Sequence, residues 1–583
     1  MPAAVVPATL GFLDEVPYSQ AFGDVYHSAA GGPAQAEHVF LQGNGLPQRW
    51  QSREGFVILE TGFGFGLNFL VTLNAWRRNP GKRLHYVAVE KHPFSLQDLR
   101  TLHERYPGLR QEAAELHSQW PLMLSGGHRV ELDNVVLTLF FADIKILREL
   151  RLSADAIYLD GFSPAKNPEM WTSQIMRNVS RLAAPDATAA TWSVAAQVRG
   201  ALERTGFAVE KHAGFGHKKE MLVARNTRAG EIFERKERSA LVVGAGLAGA
   251  AVCERLCSRG WDVELVERHA RAAHEASGNP AGAFHPVVTP DDSIFARLTR
   301  AGFLAAVSRW KKFPGIRWDQ CGLLQLARDE RESASQLRAV QGVPHEYAQA
   351  ASRDEASAHA GVPVAAGGIW FPEAGWIDPR SLVNAQLEAC GAKLTRNFGT
   401  ELARVPEGRT VILANSFDAP KLHPVPHLRL RRVRGQLTHV PASAFEPPRV
   451  VVVRGGMVLP PVDGNCVVGA SFDIDDDDPA PRAESHAGNL ERLGRMLPFE
   501  AKLEDLQGRV GFRSVTPDRL PVVGPLGENV YGAFAYGSRG LVWAALAAEL
   551  IASQLEGEPL PIEGKLVDAL SPQRFKMRAG EIE

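Results

Sequence analysis

The sequence is poor in cysteine and lacks the spacing that cysteine-rich folds require. Its 583 residues contain five cysteines, an odd and widely scattered set: Cys253, Cys257, Cys321, Cys390 and Cys466. Such a set does not indicate a disulfide framework, so we expect a reducing, cytoplasmic compartment. We also expect no metal site, because Cys253 and Cys257 have no further Cys or His pair at ligand spacing nearby.

Long apolar runs and an excess of charge are missing as well. The longest apolar stretch, residues 541–555, is too short to span a bilayer and contains Glu549 and Ser553. Residues 1–10 lack the basic start of a signal peptide. Lys and Arg number 65 against 66 Asp and Glu, a formal net charge of -1, which excludes a uniformly basic nucleic-acid binder but permits local basic patches. We expect a monomer that does not associate with membranes.

The length predicts more than one domain, and one boundary is visible. Residues 226–230 form a polar break, and a charged run over residues 231–238 follows it. A strand-like run then restarts at Ala240. We therefore predict domains at residues 1–235 and 236–583.

The first half alternates between strand-like and helix-like segments. Predicted strands are Phe56–Glu60, Leu84–Val89, Val135–Phe141, Ala156–Leu159 and Ala187–Trp192, and predicted helices are Leu67–Trp76 and Ala195–Arg204. Residues 206–209 and 220–224 look like a final antiparallel pair. This order predicts an α/β fold with an open, mostly parallel sheet. Ligands bind at the carboxyl ends of such strands, where four acids stand: Glu60, Glu90, Asp143 and Asp160.

A glycine-rich loop, with Gly62, Gly64 and Gly66, follows Glu60. This spacing is shorter than the Gly-x-Gly-x-x-Gly that seats a dinucleotide pyrophosphate, and it suits a nucleoside with an amino-acid tail. Together with the strand-end acids and the final antiparallel pair, it resembles class I (Rossmann-like) methyltransferases, which bind S-adenosylmethionine.

That resemblance implies roles for three acids. Glu90 would bind the cofactor ribose and Asp143 would lie on the adenine side. Asp160 begins a proline-restricted loop that ends at Trp171; it would adjoin the cofactor and position an amine that accepts the methyl group.

The second half opens with a complete strand–loop–helix–strand unit. Residues 240–243 lead into Gly244, Gly246 and Gly249, a helix is predicted over residues 250–258, and the strand at 263–266 ends at Glu267. Glu267 stands where a ribose-binding acid is required, so this unit predicts a dinucleotide.

Two further segments suggest which dinucleotide it is. One is Ala276–Gly282, containing Ser277, Gly278 and Asn279; the other comprises Arg513–Gly524 and Gly537, Ser538, Arg539 and Gly540. They resemble the D-amino-acid oxidase and glycine oxidase superfamily, which implies FAD in a Rossmann-type domain with an α+β substrate domain. There the protein mostly orients the substrate, and a guanidinium suits a carboxylate. Arg513 is the first candidate for that role and Arg539 the second.

The order of the two halves resembles the family of bifunctional tRNA wobble-uridine-modifying enzymes. Residues 60–69 and 160–171 carry this resemblance most specifically, with Phe65 as a departure where a small hydroxyl residue is expected. It implies FAD-dependent removal of a carboxymethyl group from 5-carboxymethylaminomethyl(-2-thio)uridine, followed by N-methylation. Candidate tRNA-binding cations are Arg77, Arg78, Lys82, Arg83, Lys218, Lys219, Arg429, Arg431, Arg432 and Arg434.

The cofactor loops alone leave two other hypotheses open. One is a fused small-molecule amine oxidase and N-methyltransferase. The other is a flavin-binding interaction module without catalysis, which Asp160 and Arg513 argue against.

Overall fold

The computed structural model describes residues 4–230, 233, 237–501 and 503–576, and these form two compact units. The described residues within 4–235, together with 556–564, form the N-terminal unit; those within 236–555 and 565–583 form the C-terminal unit. Most of the charged run at 231–238, which suggested the boundary, lies outside the described residues.

The N-terminal unit is an α/β structure. Its strands are β1 (Phe12–Leu13), β2 (Val16–Ser19), β3 (Asp24–Val25), β4 (Phe56–Glu60), β5 (Leu84–Glu90), β6 (Gly126–Leu132), β7 (Val135–Phe141), β8 (Ala154–Tyr158), β9 (Ala183–Thr191), β10 (Phe207–Ala213) and β11 (Glu220–Asn226). Its helices are α1 (Gly32–Ala36), α2 (Gln48–Gln51), α3 (Leu67–Arg78), α4 (Leu96–His103), α5 (Arg110–Ser118), α6 (Ser173–Leu182) and α7 (Ala196–Arg204).

Eight of these strands form one sheet in the order β10-β11-β9-β8-β4-β5-β7-β6. The pairs within β9-β8-β4-β5-β7 are parallel, and β10 and β11 pair antiparallel. Strand β4 is buried along its whole length, as a central strand covered by helices on both faces must be. The predicted open, mostly parallel sheet is confirmed. The strand order reverses at β4, and the carboxyl ends of β4 and its neighbours are where such folds bind ligands.

Strand β6 was not predicted. It pairs antiparallel with β7 at the sheet edge, and its residues alternate between buried and half-buried from His128 to Leu132. That alternation is typical of a strand with one covered face, but Gly126 and Gly127 at its start made the segment resemble a loop.

The C-terminal unit contains most of the strands. They are β12 (Ser239–Val243), β13 (Asp262–Glu267), β14 (Gly282–Phe284), β15 (Trp318–Asp319), β16 (Leu323–Leu326), β17 (Gln349–Ala351), β18 (Gly368–Phe371), β19 (Gly375–Ile377), β20 (Leu394–Phe398), β21 (Thr410–Leu413), β22 (Arg431–Pro441), β23 (Val451–Val453), β24 (Met457–Val458), β25 (Asn465–Gly469), β26 (Asp473–Ile474), β27 (Gln507–Val515), β28 (Val522–Gly527) and β29 (Val530–Phe534). The helices after residue 239 are α8 (Leu247–Cys257), α9 (Ile294–Trp310), α10 (Glu330–Val340), α11 (Arg353–Ala360), α12 (Pro379–Ala389), α13 (Ala419–Leu422), α14 (Ala483–Gly494), α15 (Gly540–Glu556) and α16 (Gly564–Leu570).

Two main sheets organise this unit. A six-stranded sheet has the order β20-β13-β12-β21-β29-β28, and its first five strands run parallel. A nine-stranded, mostly antiparallel sheet contains the long strand β22 near one end, paired with β25, β26 and β27. The first sheet is the predicted Rossmann-type domain and the second is the predicted α+β substrate domain.

Helix α8 begins at Leu247, three residues before the predicted start, so Gly249 lies in its first turn. A Cβ at Gly249 would lie 1.8 Å from the Gly244 carbonyl oxygen. This glycine therefore allows the helix to pack closely against the strand–loop junction.

Residues 556–564 pack within the N-terminal unit, although the chain reaches them only after α15. Arg129 Nη2 donates to the Pro559 carbonyl oxygen at 2.5 Å, and the buried Glu558 carboxylate lies 3.3 Å from Arg83 Nε. Leu560 N donates to the Arg151 carbonyl oxygen at 3.1 Å. A segment distant in sequence thus completes the edge of the first unit.

All five cysteines are free thiols. Among the described residues no helix is both long and apolar enough to cross a membrane.

Candidate active sites

The N-terminal unit contains a cavity of about 1160 Å³ at the carboxyl ends of its central strands. We call it the N-terminal cavity. Of the predicted site residues, five line it: Gly62, Gly64, Glu90, Asp143 and Asp160. Glu60 and Gly66 are not among the lining residues.

Asp160 follows β8 and lies at the centre of a hydrogen-bond network. Its Oδ1 accepts from Gly161 N at 2.8 Å and from Trp192 Nε1 at 3.1 Å. Its Oδ2 accepts from Asn68 Nδ2 at 2.7 Å. Burial raises the pKa of Asp160 to about 6, although these donors oppose the shift. The side chain is therefore an oriented carboxylate at neutral pH, suited to accept a hydrogen bond from an amine.

Glu60 lies beneath the cavity rather than in its wall. It is fully buried, its Oε1 accepts from Asn68 Nδ2 at 2.7 Å, and its Oε2 accepts from the Tyr86 hydroxyl at 2.9 Å. Burial and the neighbouring Asp160 charge raise the pKa of Glu60 well above its usual range. Asn68 thus contacts both acids, and Glu60 acts on the cavity through it.

Glu90 connects the end of β5 to the glycine loop. Its Oε2 accepts from Gly64 N at 2.7 Å and its Oε1 from His92 N at 2.7 Å. Burial raises the pKa of Glu90. The carboxylate is fixed at the strand end, where a ribose-binding acid belongs.

Asp143 and Gly66 take different positions around this loop. Asp143 accepts a hydrogen bond from Lys145 N at 3.1 Å and lies 3.1 Å from Lys91 Nζ. Partial burial raises the pKa of Asp143, but these two contacts have the larger combined effect, so the pKa is lowered overall. Gly66 has a φ of 81° and precedes α3, and a Cβ there would lie 2.7 Å from the Phe63 ring. Gly66 therefore shapes the loop without lining the cavity.

Aromatic side chains form the other wall of the N-terminal cavity. Phe22 and Phe162 stack with ring centroids 4.7 Å apart. Lys218 Nζ lies 3.4 Å from the Trp192 ring centroid, and burial lowers the pKa of Lys218. Phe65, the departure from the expected family pattern, is buried and stacks on Tyr106 at 6.1 Å, so the loop accommodates it.

Asn68 and Trp192 contact Asp160 but were not predicted as site residues. Asn68 stands in the first turn after the glycine loop, and Trp192 directly follows β9. Both residues lie at the carboxyl end of the sheet, and this position is the feature of the sequence from which they could have been predicted.

The residues of the N-terminal cavity fit a nucleoside with an amino-acid tail, because the cavity combines a glycine loop that permits close approach, an acid at a strand end and an apolar wall.

The C-terminal unit contains a cavity of about 1310 Å³, the C-terminal cavity. Residues from both ends of this unit line it. Among the predicted site residues these are Gly244, Gly246, Glu267, Ser277, Asn279, Arg513, Gly537, Ser538, Arg539 and Gly540. Gly249 packs within α8, and Gly278 lies in the wall of a separate cavity, so neither lines this one.

The side chains of Glu267 and Ser277 accept hydrogen bonds from the backbone of the dinucleotide-binding loop. Glu267 Oε2 accepts from Ala245 N at 2.8 Å, and Ser277 Oγ accepts from Leu247 N at 3.1 Å. Buried polar atoms without a partner among the described residues also lie on this cavity's lining side chains: Asn279 Oδ1, Asn415 Oδ1, Ser514 Oγ and Tyr536 OH. Buried polar groups normally have partners, so this set fits a long polar ligand such as FAD.

Two guanidinium groups enter the C-terminal cavity without a carboxylate within 4 Å among the described residues. Arg513 Nη1 donates to the Ser471 carbonyl oxygen at 3.2 Å, and Arg539 Nη1 donates to the His285 carbonyl oxygen at 3.2 Å. Burial lowers the pKa of Arg513 and lowers that of Arg539 to about 10. A buried cation without a counter-ion is costly, so the pair fits an anionic substrate group.

His285 lies beside Arg539 in the same cavity. Burial and the Arg539 charge lower the pKa of His285 to about 3. Its Nδ1 lies 2.8 Å from the Pro286 carbonyl oxygen, so Nδ1 donates and the ring is neutral at physiological pH.

Five of the ten predicted tRNA-binding cations, Arg83 among them, are engaged in ion pairs. Arg77 contacts Glu112 and Glu115, Lys82 contacts Glu54, and Arg432 contacts Asp477. Arg434 is fully buried and contacts Asp473. Arg434 was therefore wrong as a surface candidate, because it holds the substrate domain together.

Comparisons with known proteins identify both units. A family model described as FAD dependent oxidoreductase matches residues 239–554, and one described as S-adenosyl-L-methionine-dependent methyltransferase matches residues 107–227. The tRNA 5-methylaminomethyl-2-thiouridine biosynthesis bifunctional protein MnmC of Paraburkholderia phytofirmans (strain DSM 17436 / LMG 22146 / PsJN) is 45% identical over 648 residues, covering 99% of this chain and 98% of that protein.

The chain belongs to the MnmC family.

A second relative of the same name, from Azoarcus sp. (strain BH72), is 45% identical over 624 residues and covers 98% of each chain. The crystal structure of glycine oxidase from Bacillus cereus ATCC 14579 is 21% identical with a TM-score of 0.48, covering 55% of this chain and 95% of that one. The predicted family, fold class and cofactors are confirmed: the chain carries an S-adenosylmethionine-dependent methyltransferase and an FAD-dependent oxidoreductase.

Proposed function

We propose that this chain modifies the wobble uridine of tRNA in two steps. The oxidoreductase removes the carboxymethyl group from 5-carboxymethylaminomethyl(-2-thio)uridine, which leaves a 5-aminomethyl group. The methyltransferase then methylates that amine to 5-methylaminomethyl(-2-thio)uridine. One observation supports the proposal: a single chain of the MnmC family contains two large cavities, one with the oriented Asp160 carboxylate and the other with Arg513 and Arg539, which have no carboxylate within 4 Å among the described residues.

The oxidative step requires the substrate carboxylate to be held while the adjacent CH₂ is oxidised. Arg513 and Arg539 supply guanidinium groups whose N–H donors match a carboxylate. FAD, which Gly244, Gly246 and Glu267 would hold, would supply the two-electron oxidation of that CH₂. Water would then hydrolyse the resulting imine to glyoxylate and the primary amine. The neutral His285 ring adds no positive charge beside Arg539.

The methylation step requires a neutral amine with an accessible lone pair. The Asp160 carboxylate accepts a hydrogen bond from the amine, and its three donors keep the carboxylate oriented. S-adenosylmethionine supplies the methyl group, and the proton displaced from nitrogen passes toward Asp160 or to solvent.

The remaining assignments are part of the same proposal. Gly62, Gly64 and Glu90 bind S-adenosylmethionine, with Asp143 on the adenine side and Asp160 beside the methyl group. Gly244, Gly246, Glu267, Ser277 and Asn279 bind FAD, and Gly537, Ser538 and Gly540 place backbone N–H groups near the flavin. The methyltransferase domain comprises residues 1–235 and the oxidoreductase domain residues 236–583, and the protein is a cytoplasmic monomer without a resident metal.

Mass spectrometry of wobble nucleosides tests the proposal. The FAD-loaded protein is incubated with tRNA bearing 5-carboxymethylaminomethyluridine, with and without S-adenosylmethionine. We expect 5-aminomethyluridine without it and 5-methylaminomethyluridine with it. Unchanged tRNA, together with rapid oxidation of free glycine or sarcosine, would instead establish the fused small-molecule enzyme.

A further inference from the structure

Four arginines converge on a third cavity, of about 290 Å³, in the C-terminal unit. We call it the arginine cavity; it is defined by Arg271, Arg380, Arg396 and Arg509. It lies beside the edge strand β20 and helix α12. Among its described lining residues, Glu388 is the one carboxylate. Its lining is therefore strongly positive, in a chain whose net charge is -1.

Arg509 retains an unused donor there. Its Nη2 donates to the carbonyl oxygens of His274 at 2.5 Å and Glu275 at 2.8 Å. Its Nε is buried and has no hydrogen-bond partner among the described residues. Burial, followed by the charge of Arg380, lowers the pKa of Arg509. A buried donor without a partner is costly, and an anion in the cavity would remove that cost.

Two of the other guanidinium groups are held in place at the same cavity. Arg380 Nε and Nη2 each lie 3.1 Å from a different oxygen of Asp378. Arg396 Nη2 donates to the Leu387 carbonyl oxygen at 2.7 Å. Because these contacts use only some of each group's N–H donors, both groups keep donors for a ligand.

The arginine cavity adjoins the C-terminal cavity but has a largely different lining. His274 and Arg509 line both cavities, whereas the other ten described lining residues of the arginine cavity do not line the C-terminal cavity. Gly278, in the segment predicted to bind FAD, lines the arginine cavity, whereas Gly244, Gly246, Gly537 and Gly540 line the C-terminal cavity. Its volume suits a single anionic group rather than a dinucleotide.

We propose that the arginine cavity binds a backbone phosphate of the tRNA substrate. Arginine forks match phosphate oxygens, and phosphate contacts dominate the affinity of proteins for nucleic acid. A phosphate here would pair with Arg509 Nε and offset the repulsion among the four cations. The proposal rests on the proposed tRNA substrate, and it adds a binding site outside both reaction cavities.

Arg271 and Arg396 are the residues to change. Both are exposed, and neither has a carboxylate within 4 Å among the described residues. Arg380 is paired with Asp378, and Arg509 holds the loop at His274 and Glu275, so changing either would disturb the fold. The matched control is Arg331→Gln/Arg338→Gln, which alters two exposed arginines of α10 that line none of the three cavities.

The measurement is tRNA binding by the FAD-loaded full chain over a series of salt concentrations. For Arg271→Gln/Arg396→Gln we expect about tenfold weaker binding near physiological salt, and, because one phosphate contact is lost, a slope of log K against log salt that is smaller by about 1. The rate of oxidation of the free nucleoside 5-carboxymethylaminomethyluridine, measured by the loss of flavin absorbance, should be unchanged. The control variant should bind tRNA as the unchanged protein does.

Two results would overturn the assignment. One is unaltered affinity and salt slope in Arg271→Gln/Arg396→Gln, while the unchanged protein binds and converts tRNA. The other is a rise in thermal stability with millimolar inorganic phosphate that the variant loses without any loss of tRNA affinity, which would assign the cavity to a free phosphate. Failure of the unchanged protein to bind tRNA would instead contradict the proposed function, and the phosphate assignment with it.

Discussion

At Asp160, burial and hydrogen bonding act on one carboxyl group in opposite directions. Burial raises its pKa, and donors on Asn68, Gly161 and Trp192 hold it down at about 6. Removing one of these donors should therefore raise the pKa of Asp160 further. Replacing Asp160 by a neutral side chain should instead remove the free-energy cost of burying its charge.

The methylation rate should depend on pH through Asp160. The carboxylate accepts the amine hydrogen bond only above its pKa, so we expect the rate of methylation to rise with pH through about 6. Asp160→Asn should lower the rate about 100-fold or more and remove this rise. Because the folded-state pKa is raised, ionisation costs stability as pH rises through about 6, so Asp160→Asn should not lower the melting temperature at pH 7.5. A collapse of the fold in this variant would contradict that reasoning.

Asn68 is a positioning residue, since it donates to both Asp160 and Glu60. In Asn68→Ala we expect the acidic limb of the methylation profile to move to higher pH, because Asp160 loses a donor. The matched control is Asn74→Ala on the same helix, whose Nδ2 contacts Glu112 at 3.2 Å instead. If both variants lost methylation rate equally, and the pH profile of methylation did not shift, Asn68 would have only a structural role.

At the scale of elements, apolar runs predicted the parallel strands well. Strands β4 and β7 have the predicted bounds, because central strands buried on both faces read as continuous apolar runs. The strands of the substrate domain were not predicted individually; several are short, such as β24 and β26 with two residues each. Their pairing depends on partners far away in sequence, so local pattern carries little of it.

Gly249 illustrates an element boundary set by packing. In Gly249→Ala the new methyl group would collide with the Gly244 carbonyl oxygen, so we expect loss of FAD and a destabilisation of about 1–3 kcal/mol or more. Gly494→Ala is the control: nothing lies within 4 Å of its added Cβ, and alanine favours the helix there by up to about 1 kcal/mol. Calorimetry and flavin absorbance of both variants measure these effects, and retained FAD in Gly249→Ala would contradict the packing argument.

At the scale of the whole molecule, the sequence could not predict where residues 556–564 would pack. They follow the longest apolar stretch, and nothing local links them to Arg83 or Arg129. The arginine cavity was missed for the same reason: its four arginines are spread from residue 271 to residue 509. Of the cations that are clustered in the sequence, half proved to be ion-paired. The cofactor loops could be predicted because each is one continuous segment.

Glu558 tests the role of that late segment. In Glu558→Ala the half-buried Arg83 guanidinium loses a carboxylate partner, so we expect the N-terminal unit to be destabilised by about 1–2 kcal/mol. The exposed Glu528→Ala is the control and should change stability by less than about 0.5 kcal/mol. Hydrogen exchange of β5 and β6 measures the effect, and unchanged protection there would show that the segment does not stabilise the unit.

The central claim is that two sites in one chain act in sequence on the same nucleoside, and nucleoside mass spectrometry of two single-site variants tests it most directly. With 5-carboxymethylaminomethyl tRNA and S-adenosylmethionine, Arg513→Met should leave the substrate unchanged, and Asp160→Asn should stop at 5-aminomethyluridine. A mixture of the two variants should restore 5-methylaminomethyluridine. Full conversion by Arg513→Met, or methylated product from Asp160→Asn at the normal rate, would contradict the account.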